Sequence, residues 1–142
     1  MTGLPSETLH ASCVALGTNA VAILGPSGSG KSALALQLMA FGCRLVSDDR
    51  TVLTCRDGAL FAFAPAAIQG RIEARGIGIL AAETTATAHV ILAIDMGPTE
   101  ADRLPPERTV TLLGCPVALV HKVESAHFPA AVLQYLKAGR SA

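Results

Sequence analysis

Gly25-Pro26-Ser27-Gly28-Ser29-Gly30-Lys31-Ser32 satisfies the GxxxxGK[ST] pattern of a phosphate-binding loop. Its glycines let backbone N–H groups turn inward around phosphate oxygens, through φ values and close approaches that a Cβ would obstruct. Lys31 supplies a cation for the β- and γ-phosphates, Ser32 a hydroxyl for Mg²⁺, and a helix opening there points its positive end at the anion. This chemistry is the binding of a nucleoside triphosphate. Phosphoryl transfer further needs a metal held by hydroxyl and carboxylate, and a base for the acceptor. Asp48-Asp49 lies seventeen residues beyond Lys31, where an open α/β sheet places ligand groups. A lone aspartate there would serve as a turn cap. Two adjacent carboxylates beside a phosphate site allow one to stay ionised while the other takes a proton.

Other candidates keep two readings each. Glu73 and Arg75 share a side if their segment is extended, as metal ligand and phosphoryl clamp or as a solvated ion pair. Arg103 is either a mobile phosphate-binding arginine or a surface charge. Asp95 ends an apolar run and competes with Asp48-Asp49 for the metal. His10 has no partner in sequence and reads as structural.

The loop must be held by a strand before it and a helix after it. Leu9 to Leu16 and Ala20 to Leu24 read as strands around the turn cluster Gly17-Thr18-Asn19. Leu34, Leu38 and Phe41 recur at helical spacing from Lys31 to Phe41, and Gly42 stands where a left-handed residue ends a helix. Arg44 to Ser47 then reads as a strand, parallel to and paired with the one before the loop through a right-handed crossover. Val52 to Cys55 and Ala59 to Phe63 flank an Asp57-Gly58 hairpin turn. Residues 69–80 read as a functional loop entering a strand. His89 to Met96, Thr109 to Leu113 and Val117 to Val120 read as strands, and Phe128, Ala131, Val132, Tyr135 and Leu136 as the stripe of a terminal helix. The fold class expected is α/β with a mixed β-sheet, residues 1–142 forming one domain.

The chain has zero net charge and three lysines among its eleven basic residues, which argues against nucleic acid as a partner. No apolar run is long enough to span a bilayer, and residues 1–8 lack the basic start of a secretory signal. Cys13, Cys43, Cys55 and Cys115 show no CxxC pair and read as reduced, which with the missing signal leads to a cytoplasmic expectation.

In order along the chain, His10-Ala11, Gly25 to Ala33, Arg44-Leu45-Val46-Ser47-Asp48-Asp49, Glu73 to Ile79 and Asp102-Arg103-Leu104 resemble five motifs of the bacterial HPr kinase/phosphorylase family. The resemblance runs from about Leu9 to Val117 and is closest to short members holding the catalytic domain alone. It implies a P-loop fold related to phosphoenolpyruvate carboxykinases, with ATP and Mg²⁺ as cofactors and a seryl hydroxyl of the phosphocarrier HPr as acceptor. It also implies a protein serine kinase of the phosphotransferase system that forms homo-oligomers. By it, Gly25 to Ser32 cradle the nucleotide, Ser32 and Glu73 ligate the metal, Asp49 carries the proton with Asp48 in support, and His10, Arg75 and Arg103 complete the surface. Pro26 stands for the family's loop aspartate and Ala33 for the glutamate after GKS. After Pro116-Val117 the chain continues Ala118-Leu119-Val120 in place of the PVRPGR segment linked to dephosphorylation. The alternatives are a nucleotide-sensing module without turnover and a small-molecule kinase on the same scaffold.

Overall fold

The computed structural model describes residues 5–142. The strands are β1 (Ser6–Leu9), β2 (Ala11–Leu16), β3 (Asn19–Leu24), β4 (Arg44–Ser47), β5 (Thr51–Arg56), β6 (Ala59–Phe63), β7 (Arg71–Ala74), β8 (Gly78–Ala81), β9 (Ala88–Thr99), β10 (Arg108–Leu112) and β11 (Cys115–Lys122). Helix α1 spans Lys31–Ala40 and α2 spans Phe128–Ala138. Nine strands form one mixed sheet in the order β1-β5-β6-β9-β3-β2-β4, with β11 beside β9 and β10 beyond it, while β7 and β8 form a separate two-stranded sheet.

The order forces the sheet to curl. Strands β4 and β5 lie five spacings apart in it, about 24 Å if flat, yet Asp48, Asp49 and Arg50 alone connect them, a reach of at most about 15 Å. The outer face of the curl carries Val14, Val21, Ile23, Leu92 and Ile94, packed on Leu34 and Leu38 of α1 and Phe128, Val132 and Leu136 of α2. Its concave face is filled by small side chains, Cys13, Ala15, Ala20, Ala22 and Ala93, with Leu53 and Leu60 closing it. Full burial of each larger side chain contributes about 1.5–3 kcal/mol. Six alanines, Ala15, Ala20, Ala22, Ala62, Ala88 and Ala93, are buried on the concave face.

Helix α1 begins at Gly30 (φ 97°) without a side-chain cap. It ends with Gly42 N–H donating to Met39 O and Cys43 N–H to Leu38 O, the paired bonds of a Schellman motif around left-handed Gly42. Asp57 and Gly58 both take positive φ, the backbone that joins β5 to β6 tightly.

Three expectations are corrected. The strands before and after α1 run in the same direction but are not neighbours, because β2 lies between them, antiparallel to both; β3 takes β9 as its parallel neighbour on the other side. The local hairpin β2–β3 closes through a short turn and occupies the edge the crossover would otherwise fill. Residues 69–80, expected as a loop entering a strand, form the β7–β8 hairpin: the segment expected as loop is itself a strand, since Ile72 and Ala74 alternate into the interior. The cysteines are not all reduced. Cys55 and Cys115 form a disulfide, Cα atoms 6.6 Å apart, while Cys13 and Cys43 remain free and buried. Sixty positions separate the pair, and they meet because β6, with β5 beside it, and β11 share the edge of β9 opposite β3. No helix among the described residues is long and apolar enough to cross a membrane.

Candidate functional site

The glycine-rich loop leaves the carboxyl end of β3 and runs into α1. Ser29 N–H donates to Pro26 O at 3.1 Å, with Gly28 (φ 80°) as the third residue of that turn, the position where a type II turn demands positive φ. A Cβ on Gly25 would sit 2.8 Å from Ser29 Oγ and 3.0 Å from Met96 Cβ, so β9 packs against the loop from below. The buried Lys31 ammonium donates to Gly25 O at 2.9 Å and Pro26 O at 3.1 Å, which leaves one of its three protons for an anion. Ser29 Oγ is buried without a partner among the described residues. Uncapped α1 adds the free N–H groups of its first turn. Cationic and N–H donors around a cradle that a Cβ would fill suit a polyphosphate.

Asp48 ties four parts of the chain together. Its Oδ1 accepts from Ser32 Oγ at 2.6 Å and from Ser12 Oγ at 2.8 Å, and its Oδ2 accepts from Glu73 N–H at 3.0 Å. It is nearly covered, whereas Asp49 is more than half exposed. Arg50 N–H returns to Asp48 O at 2.7 Å around Asp49 at φ 67°, a γ-turn of the rarer, strained hand. Strain of this kind persists where surroundings over-determine it. Here Ser12 Oγ accepts the Asp49 N–H at 3.1 Å and Ser47 Oγ donates to Arg50 O.

Ser12 is the residue that sequence reasoning missed. Its side chain is fully buried in β2, donates to one aspartate and accepts from the backbone of the next. The available signal was a hydroxyl inside the otherwise apolar run Ala11-Ser12-Cys13-Val14, because a buried polar group requires a partner.

The other candidates are placed unevenly. His10, at the break between β1 and β2, lies 3.6 Å from Asp49 Oδ1 through Nδ1, so it has the partner its sequence context did not reveal. Glu73 meets Asp48 through its backbone, with its side chain exposed. Arg75 is exposed in the turn after β7, and Arg103 is exposed beyond β9. Among the described residues no hydrogen bond or ion pair joins either arginine to the loop or to Asp48. Asp95 sits within β9, four residues before its end and level with Leu24, and its Oδ1 accepts from Gly97 N–H at 2.9 Å. The carboxylate beside Ser32 is therefore Asp48. Among the described residues no three His, Cys, Asp or Glu side chains cluster as a metal cage. A hydroxyl and a carboxylate 2.6 Å apart fit a small hard cation that takes its remaining oxygens from phosphates and water.

Residues 4–94 match the family model described as HPr Serine kinase C-terminal domain. HPr kinase/phosphorylase of Clostridium botulinum (strain Eklund 17B / Type B) is 40% identical over 76 residues, 54% of this chain and 25% of that protein. That of Limosilactobacillus reuteri (strain DSM 20016) is 38% identical over 92 residues, 64% of this chain and 29% of that protein. The solved structure of the Hpr(Ser) kinase/phosphatase from Coxiella burnetii superposes with a TM-score of 0.77 at 25% identity, covering 92% of this chain and 94% of that one. The matched part spans about a quarter of the length of the curated relatives. A family model covering more than half of the residues, with a mixed α/β structure that superposes over nearly the whole chain, establishes that the protein belongs to the HPr serine kinase C-terminal domain family.

Proposed function

We propose that this chain is an ATP- and Mg²⁺-dependent protein serine kinase of P-loop type, a single domain that phosphorylates HPr or a related phosphocarrier. The observation that carries the reading is the Ser32–Asp48 pair at 2.6 Å at the start of the helix that the glycine loop opens. Lys31 and the loop N–H groups bind the polyphosphate; Ser32 and Asp48 hold the metal side, with Glu73 on the neighbouring hairpin able to add its exposed carboxylate. When bound, the cation neutralises charge on the β- and γ-phosphates. Asp49, open to solvent and beside His10, takes the proton of the incoming seryl hydroxyl, while Asp48 anchors the turn. Arg75 and Arg103 are surface arginines available to the acceptor or to a second copy in a homo-oligomer.

The forward reaction is the favoured direction. Residues 115–127 contain no arginine, and β11 occupies Cys115–Lys122, where the family's PVRPGR segment was expected. Holding free phosphate against a phosphoserine brings two anions together, which needs added cations.

Incubation with labelled ATP and purified HPr, followed by mapping of the phosphorylated residue, tests the reading. Phosphoserine on HPr that disappears in Lys31→Ala is the expected result; Lys31→Ala should lower ATP affinity or turnover tenfold or more, about 1.4 kcal/mol. ATP binding without transfer to any carrier would favour the nucleotide-sensing alternative. Pro26 and Ala33, in place of two carboxylates, are the feature consistent with that second reading.

A further inference from the structure

Resting on the nucleotide reading above, we propose that the cavity between α1 and the segment entering α2 receives the nucleobase and ribose of the bound nucleotide. This cavity holds about 250 Å³ and opens beside Gly30 and Ala33, at the mouth of the phosphate loop. It does not include Lys31, Ser32 or Asp48.

Direction along the nucleotide follows from helix geometry. At 100° per residue, Ala33 and Gln37 share one face of α1, while Ser32 points roughly 140° away from Gln37. The γ-phosphate end belongs with Ser32, Asp48 and Asp49, where metal and acceptor groups gather. The nucleoside must then leave the loop on the side of Ala33, the residue whose backbone follows the GKS triplet. That side is where the cavity lies.

Its lining suits a flat heteroaromatic ring. Met96 forms the floor, its Cε methyl 3.5 Å from where a Cβ on Gly30 would stand, and buried Phe128 and Leu34 add apolar wall. Gln37 offers an amide with both donor and acceptor, and Ser125 a hydroxyl near the rim. An apolar slot with a few convergent polar groups is the usual make-up of such a site. Parallel strands β3, β9 and β11 all deliver their carboxyl ends here, the position where open α/β sheets bind ligands.

The test uses Met96 as the reporter. Protein labelled with ¹³C at methionine methyls is titrated with Mg-ATP and, separately, with Mg-tripolyphosphate, which carries the same anionic chain without a nucleoside. The Met96 resonance is assigned by its loss in Met96→Leu. The expected result is that both ligands bind, ATP at least tenfold more tightly, and that ATP alone moves the Met96 methyl through the ring current of the base. In Gln37→Leu, ATP affinity should fall several-fold while tripolyphosphate affinity stays unchanged. Equal affinities together with the same Met96 response to both ligands would overturn the base site and leave the phosphate loop standing. If neither ligand binds, the nucleotide reading fails first and this inference falls with it.

Discussion

Ser12 holds Asp48 with its proton and the Asp49 backbone with its lone pair, at 2.8 and 3.1 Å. One buried hydroxyl thus fixes both aspartates of the strained turn against β2. The two carboxylates leave it in different settings: Asp48 receives three hydrogen bonds under cover, and Asp49 faces solvent beside His10.

Ser12→Ala removes a buried partner from each aspartate. The orphaned Asp49 N–H and the weakened Asp48 anchor should cost about 1–3 kcal/mol of stability, measured by denaturant unfolding. If positioning is the role, phosphoryl transfer should fall tenfold or more while ATP affinity stays within a few-fold. Equal losses in both would mean that the hydroxyl merely supports the fold.

Asp49→Asn separates chemistry from backbone. Asparagine tolerates the left-handed region as well as aspartate does, so the melting temperature should not fall. Loss of the base should lower transfer on the order of 10²-fold with ATP affinity kept within a few-fold. Asp95→Asn, whose carboxylate only closes on Gly97, should leave transfer intact. The reverse outcome would assign the base to β9.

Direction is checked by phosphoserine removal from the carrier at millimolar phosphate without ATP. With no arginine between Cys115 and His127, phosphorolysis should run at least tenfold slower than the kinase reaction. Comparable rates would show that another cation does this work.

Thiol titration decides the cysteine pairing. The unreduced, unfolded chain should release two thiols and the reduced chain four. In the folded protein burial pushes the Cys13 thiol up to about 12, so its thiolate is almost absent at pH 8 and alkylation there should be slow. Four thiols without reductant would remove the Cys55–Cys115 bond, which closes a loop of 60 residues and stabilises by about 4 kcal/mol in the chain-entropy account.

What the sequence by itself determined is local. The phosphate loop, the helix from Lys31 ended by Gly42, the Asp57-Gly58 hairpin and the stripe of the last helix are legible because turn chemistry, capping and periodicity act over a few residues. Even Asp48-Asp49 stood out by its place after a strand. Tertiary structure decided which residues meet. Ser12 lies 36 positions from Asp48, Cys55 lies 60 from Cys115, and β9 reaches β3 across the whole hairpin region. No local signal reports such distances. They follow from strand pairing: β2 lies beside β4, which brings Ser12 to Asp48, β3 takes one edge of β9, and β6 and β11 share the other edge, which brings Cys55 near Cys115. The separation of β3 from β4 has a different origin: the short β2–β3 hairpin claims the edge between them, because closing a small loop costs less entropy than closing a crossover.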